Sequence, residues 1–440
     1  MQRLYEDHAY SDAPLSGCLW TADAAPARAA FDGPQSTEVA VIGGGFTGLS
    51  AALHLAEAGT EVTLLEARHI GWGASGRNGG FCCLGGGMIS NPQLARRFGP
   101  GAPAIYRAAE KAAVALVAER LARHGIDAET HSEGETLLAH TPRHMAALRR
   151  ELPHVAEVYG VTPQLHEPAD LAALGMSGPF HGGLTIPLGF ALNPRKYVTG
   201  LASAAEAAGA RLHDASPVTA ITQGDGFTLT TPKGPLKAKR LILATNGYSS
   251  DDIPGWLRAR YMPLQSNILA TRPLTEAELS AQGWTSRQMA YDTRRLLHYF
   301  RLLPDNRFLF GMRGGTFATP RANAQFRCKI EADCDAMFPA WAQVERPHFW
   351  SGLVCLARNR TPFVGPIPEM PGAFAGLAFH GNGVAMGSYA GRLLADLVRD
   401  KQPDAPYPAA FATPPRRFPL GRHRRALLAL ATGVMSLLDR

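Results

Sequence analysis

The chain contains no Cys-x-x-C pair. Its six cysteines are scattered over 440 residues, with Cys82 and Cys83 adjacent, Cys328 and Cys334 six apart, and Cys18 and Cys355 alone. That spacing argues against a disulfide framework, a thioredoxin-like centre or a structural zinc site, and it suits a reducing cytoplasm. No metal is expected. Long apolar runs are also missing. The longest near-apolar stretch, Ala426–Leu438, has thirteen residues, whereas a membrane-spanning helix needs roughly twenty. The first residues, MQRLYEDHAYSDAP, are polar and mixed in charge, unlike a secretory signal. With only 18% charged residues and no internal repeat, the chain reads as globular, neither coiled coil nor disordered. A cytoplasmic location is expected.

Positive charge is scarce where a nucleic acid would need it. The net charge is +7, but residues 401–440 hold seven basic and two acidic groups. Most of the excess therefore lies in the tail, and a nearly balanced body argues against a nucleic-acid partner. The tail places Leu427, Leu430, Val434, Leu437 and Leu438 on one helical stripe behind an arginine cluster. Packing on the body is the favoured expectation, with a peripheral membrane foot as the alternative.

What is abundant is glycine, and it is clustered. The run Val39–Ile42 is followed by Gly43-x-Gly45-x-x-Gly48, then by Leu49, Ala52, Leu53 and Ala56 at helical spacing up to Gly59. A second apolar run, Val62–Leu65, ends at Glu66. Strand, glycines, helix, strand and terminal acid in this order predict a dinucleotide site. Gly43 allows the tight turn, Gly45 lets a pyrophosphate approach the backbone, and Gly48 lets helix and strand pack closely. The positive helix end faces the phosphates, and Glu66 accepts a ribose hydroxyl. Glu66 does not separate FAD from NAD. The glycine-rich stretch Arg68–Gly80 does, because it can wrap an extended cofactor and present backbone N–H groups to a ring system.

The segments VIGGGFTGLSAALHLAEAG, GASGRNGG, RLILATNGY, His298–Gly314 and FHGNGVAMGSYAGRLLADLV together resemble the FAD-dependent D-amino-acid oxidase superfamily, which includes glycine and sarcosine oxidases. Within it they are most similar to the bacterial gamma-glutamylputrescine oxidase branch. The resemblance implies an α/β fold, a Rossmann-like FAD-binding domain with an inserted antiparallel-sheet substrate domain. The FAD domain is then expected to be discontinuous, over 1–95, 165–255 and 345–440, with 96–164 and 256–344 forming the substrate domain. The implied FAD contacts are Gly43, Gly45, Phe46, Thr47, Gly48, Glu66, Ala67 and Arg68, then Gly73, Ala74, Ser75, Arg77, Asn78, Gly79 and Gly80. Further along they are Val218, Thr245, Gly247, Gly352, Gly381, Asn382, Gly383, Val384 and Met386. The last group opens a second helix aimed at the cofactor.

The implied reaction oxidises a C–N bond by hydride transfer to the flavin. An imine forms and is hydrolysed to an aldehyde or keto acid, while O2 becomes H2O2. A gamma-glutamylputrescine-like amine is the favoured substrate. The alternative is a dehydrogenase of the same fold that passes electrons to a quinone or carrier protein. A nucleic-acid-associated flavoprotein using the basic tail is a more distant one. His298 and Arg313 match catalytic positions on the hairpin Arg295–Arg313, with Tyr299 as fallback; Arg313 could grip a carboxylate and His298 the amine. Strand alternation separates His298, Phe300 and Leu302 from Tyr299, Arg301 and Leu303, without showing which face meets the flavin. Two departures stand out. The turn Gly383–Met386 lacks the lysine that sarcosine oxidases use in oxygen activation. Cys355 lies in the neighbourhood of their flavin-tethering cysteine, but its spacing fits poorly, so non-covalent FAD is expected.

Overall fold

A computed structural model describes residues 1–23 and 26–438. The run Val39–Ile42 is the inner end of a strand, Gln35–Ile42, at the centre of a parallel sheet. Gly234–Leu243 and Val62–Leu65 flank it in parallel, and Ala373–Leu377 and Arg211–His213 extend the sheet on either side. All four residues of Val62–Leu65 are buried, as in a strand covered on both faces. Phe363–Pro366 closes one edge antiparallel, and the hairpin Ala220–Gly224/Gly226–Thr231 joins Gly234–Leu243.

Two helices begin at the same end of this sheet. Phe46–Glu57 starts directly after Gly45, and Gly383–Leu397 starts after Asn382. They cross where Gly391 leaves no side chain between them. A Cβ there would lie 2.4 Å from the Thr47 carbonyl oxygen and 2.7 Å from the Ala51 nitrogen, so only glycine permits the approach. The pair buries nearly every apolar residue it carries.

A second eight-stranded sheet runs His348–Leu356, Met262–Pro273, Arg307–Arg313, His298–Leu302, Met289–Asp292, Glu135–Leu138, Gly183–Ile186 and Gln164–His166. It is antiparallel except where Met289–Asp292 meets Glu135–Leu138. One face packs on the helix Pro320–Met337 through an aromatic core that includes Trp284, Phe300, Phe308, Phe310, Phe338 and Trp341. The expected boundaries at 165 and 345 cut through this sheet. Gly183–Ile186 and His348–Leu356 belong to it because they pair with distant strands, Ile186 with Glu135 and Gly352 with Ser266. Local patterning carries no trace of such partners.

The basic tail lies on the body. Arg424 is fully buried, donating to both Asp251 oxygens at 2.8 Å and to the Tyr261 carbonyl at 2.9 Å. Arg425 pairs with Glu6 at 2.7 Å and stacks on Tyr5 and Phe317. In the helix Arg425–Leu438, Leu428 packs with Met262 and Leu264, while Leu430 of the expected stripe is exposed. The side chains of Val434, Leu437 and Leu438 lie outside the described residues. No described helix is long and apolar enough to cross a membrane.

Candidate active site

The glycine run opens a cavity at the C-terminal end of the parallel sheet. Gly43 has φ +111°, and a Cβ on Gly48 would lie 1.9 Å from the Gly43 carbonyl oxygen. The turn is therefore closed to any residue with a side chain. Glu66 follows the strand Val62–Leu65 and accepts from the N–H groups of Gly44 at 2.8 Å and Arg68 at 2.9 Å. Burial pushes its carboxyl up, and those N–H groups oppose the shift. Ser75 Oγ accepts from the Phe46 N–H at 2.9 Å, tying the second glycine loop to the helix start. Two helix N-termini, a bare glycine turn and an acid at a strand end make a donor and acceptor set that fits a dinucleotide with a free ribose. FAD is the dinucleotide implied by the sequence, and this cradle suits it.

Seventeen of the expected contacts line this cavity. They are Gly43, Gly45, Phe46, Thr47, Glu66, Ala67, Arg68, Gly73, Ala74, Ser75, Asn78, Val218, Thr245, Gly247, Gly381, Gly383 and Val384. Gly48, Gly80 and Met386 line neither this cavity nor its neighbour. Gly48 serves helix–strand packing, Gly80 meets the Leu192 carbonyl, and Met386 supports Gly86 from below. Sequence reasoning missed Tyr10, Trp72 and Tyr248, which also line it. Tyr10 belongs to a 3-10 turn near the start of the chain, a region without periodicity.

A second cavity, about 250 Å³, adjoins the first. Ala74, Asn78, Leu353, Val354, Gly381 and Val384 line both. Arg77, Gly79, Gly352, Asn382, Tyr299 and Arg313 line only the second. Arg77 is spoken for, donating to the Trp72 carbonyl at 3.0 Å and the Ser351 carbonyl at 3.2 Å. It staples the glycine loop to the strand His348–Leu356. Asn382 likewise donates to the Leu84 carbonyl.

Arg313 differs. Its guanidinium lies against Gly381, where a Cβ would come within 2.3 Å of Nη2. Among the described residues it belongs to no ion pair, and burial pulls its pKa down. Tyr299 shares the cavity, its hydroxyl 3.0 Å from Ser266 Oγ. Its ring occupies space freed by Gly311 and Gly79, whose Cβ atoms would fall 2.1 and 2.8 Å from it. His380, missed at the sequence level as a site residue, also lines the cavity. Its Nε2 accepts from the Ala357 N–H at 3.2 Å and its Nδ1 faces the Gly86 carbonyl at 3.1 Å. Burial pushes its pKa down to about 4, so it is neutral.

His298 is not brought to either cavity. It points to the opposite face of its strand, 2.8 Å from Asp292 and 3.3 Å from Asp333, stacked on Phe310. The reason is the two-residue period, which puts Tyr299 on the cavity side and His298 in the aromatic core. Cys355 does line the first cavity. Burial pushes its thiol up to about 12, which disfavours the thiolate.

A model of the FAD dependent oxidoreductase family DAO matches residues 38–397. The gamma-glutamylputrescine oxidoreductase of Escherichia coli (strain K12) is 31% identical over 405 residues, covering 92% of this chain and 93% of its own length. The probable oxidoreductase OrdL of Rhizobium meliloti (strain 1021) is 33% identical over 441 residues, covering 97% and 99%. The crystal structure of glycine oxidase from Geobacillus kaustophilus shares the fold, with a TM-score of 0.71 and 22% identity over 87% of this chain and 100% of that one.

Proposed function

This chain belongs to the DAO family of FAD-dependent oxidoreductases, and from that premise we propose that it oxidises the C–N bond of a carboxylate-bearing amine or amino acid. The favoured substrate is gamma-glutamylputrescine-like, since a relative covering nearly the whole chain carries that name. The observation that carries the reading is the guanidinium of Arg313, unpaired among the described residues, in a cavity contiguous with the glycine cradle. Bound FAD would supply the two-electron acceptor that no side chain here provides.

The protein's own groups bind and orient. Arg313 grips the substrate carboxylate through two parallel N–H donors. Neutral His380 holds the Gly86 and Ala357 backbones and adds no charge to compete for that carboxylate. Phe81, Ile268 and Tyr299 form an apolar wall that limits water around the reacting carbon. The substrate loses a hydride from carbon, and water converts the resulting imine to an aldehyde or keto acid. The electron pair ends on O2 as H2O2. In this reading the domain around the second sheet holds the substrate, the sheet around Gln35–Ile42 holds FAD, and FAD is bound without a covalent link.

The test is anaerobic bleaching of the flavin absorption band by a panel of amines and amino acids, with and without carboxylates. Bleaching by the carboxylate-bearing members supports the reading, and a band that no member bleaches sinks it. Acid precipitation checks the linkage, because a yellow supernatant excludes a tether. A dehydrogenase passing electrons to a quinone or carrier protein is the second reading. It is favoured by the fact that no lysine lines either cavity among the described residues. Peroxide formed per flavin turnover, compared with dye reduced, separates the two.

A further inference from the structure

Behind the Arg313 cavity, the strand Glu135–Leu138 carries a carboxyl group with no part in the chemistry above. Glu135 is 1% exposed, and its Oε2 has no hydrogen-bond partner among the described residues. The Tyr291 hydroxyl and the Cys83 thiol lie beside its carboxyl, and both of those residues line the cavity. Strand register explains the placement. Met289 pairs with Glu135 and Tyr291 with Leu137, so Glu135 and Tyr291 share a face. The other charged group acting on Glu135 is Glu110, from the helix Ala102–Arg123. Glu110 is itself held by Arg107 at 2.8 Å and by the Tyr159 hydroxyl at 2.6 Å. No basic side chain pairs with Glu135 among the described residues.

A buried carboxyl without a cation is costly to ionise, and burial pushes this one up to about 8. A substrate amine arrives as an ammonium ion, whose nitrogen has no free electron pair. That pair must be released before the adjacent carbon can give up hydride. Some group must therefore take a proton, and neutral His380, with both ring nitrogens engaged by backbone, is a poor candidate.

We propose that Glu135, acting through the Tyr291 hydroxyl, takes the proton of the substrate ammonium. The inference rests on the amine-oxidising reading above. The ammonium N–H bond breaks, and its proton passes to the Tyr291 oxygen as the Tyr291 hydroxyl proton passes to the Glu135 carboxylate. The electron pair stays on nitrogen. Ammonium and carboxylate become neutral amine and carboxylic acid, with no oxidant consumed. The bound cation also offsets the cost of ionising Glu135 in this site.

The test uses the FAD-loaded enzyme and a carboxylate-bearing amine that bleaches it. Anaerobic flavin reduction is timed from about pH 6 to about pH 10 for wild type, Glu135→Gln, Glu135→Asp and Tyr291→Phe. The wild-type rate is expected to rise through a limb near about 8. At pH values above that limb, Glu135→Gln and Tyr291→Phe should reduce the flavin roughly tenfold or more slowly than wild type, approaching it only as the substrate's own ammonium deprotonates. Glu135→Asp keeps a carboxyl and should keep a limb. A second readout needs no turnover. The infrared spectrum should hold a buried protonated-carboxyl band that fades as pH rises through the same limb, and Glu135→Gln should lack it. Variants that keep the wild-type limb and rate overturn the relay alone, as does a wild type without that band. A wild type that no amine bleaches removes the parent reading and the relay together.

Discussion

The two faces of the strand His298–Leu302 do different work with neighbouring residues. One face presents His298, Phe300 and Leu302 to the helix Pro320–Met337 and an aromatic core. The other presents Tyr299 to a cavity, with Arg301 buried beneath the glycine loop, donating to the Leu192 carbonyl at 2.7 Å. His298 and Arg313 are also a matched pair of opposites. Each is a cationic or potentially cationic side chain on the same hairpin, but among the described residues His298 is flanked by two carboxylates and Arg313 by none. A charge already answered within the protein holds structure, and one left unanswered beside a cavity is available to a ligand.

The largest expected effect tests the unanswered charge. Arg313→Met should lower kcat/KM for a carboxylate-bearing substrate by about 100-fold, which is about 3 kcal/mol of lost charge-assisted binding. An amine without a carboxylate should be affected far less. Equal losses for both would break the distinction drawn between the two faces. His298→Gln should cost about 1 kcal/mol of stability by removing the link between Asp292 and Asp333, which keep Arg294 and Lys329 as cations, read as a lowered Tm, with kcat/KM within about threefold of wild type. A large kinetic loss at unchanged Tm would move His298 to the site.

The pH dependence sharpens the same contrast. Burial lowers the His298 pKa, but hydrogen bonds and charge from Asp292 and Asp333 outweigh it and raise the value above 6.5. Stability from this cluster is therefore whole below that value and is lost as pH rises through the folded pKa. Thermal melts of wild type against His298→Gln should converge as the solution becomes alkaline. The smallest effect is expected of Tyr299→Phe, which removes one hydroxyl bonded to Ser266. It should cost about 1 kcal/mol, or about fivefold in KM, with the flavin spectrum unchanged.

Much of the cofactor cradle was legible, because its parts lie close together in sequence. Gly43, Gly45, Glu66 and Ser75 fall within one strand–helix–strand unit and the loop after it, where steric rules act locally. The second helix start at Asn382–Val384 was legible for the same reason. The second cavity was only half legible. Alternation grouped Tyr299 apart from His298, but which face looks at the glycine loop depends on packing between distant segments. Glu135 gave no signal at all. One acid at the start of an apolar strand looks like a solvent-facing strand end until Met289 and Tyr291 are seen beside it. The strands Gly183–Ile186 and His348–Leu356 were assigned elsewhere because a short strand does not name its partner.

The glycine crossing of Phe46–Glu57 and Gly383–Leu397 has a consequence for the newly made chain. The glycine-lined cavity draws Gly43–Thr47 from one segment and Gly381–Val384 from another made much later. A ribosome releasing the chain in order cannot present a finished site until Gly381–Val384 have emerged. The early helix must wait with its Thr47–Ala51 surface uncovered, which gives a chaperone or free cofactor a long interval in which to act. Cofactor loading is thus expected to follow synthesis, and a chain truncated before Gly383 to be recovered colourless and prone to aggregation.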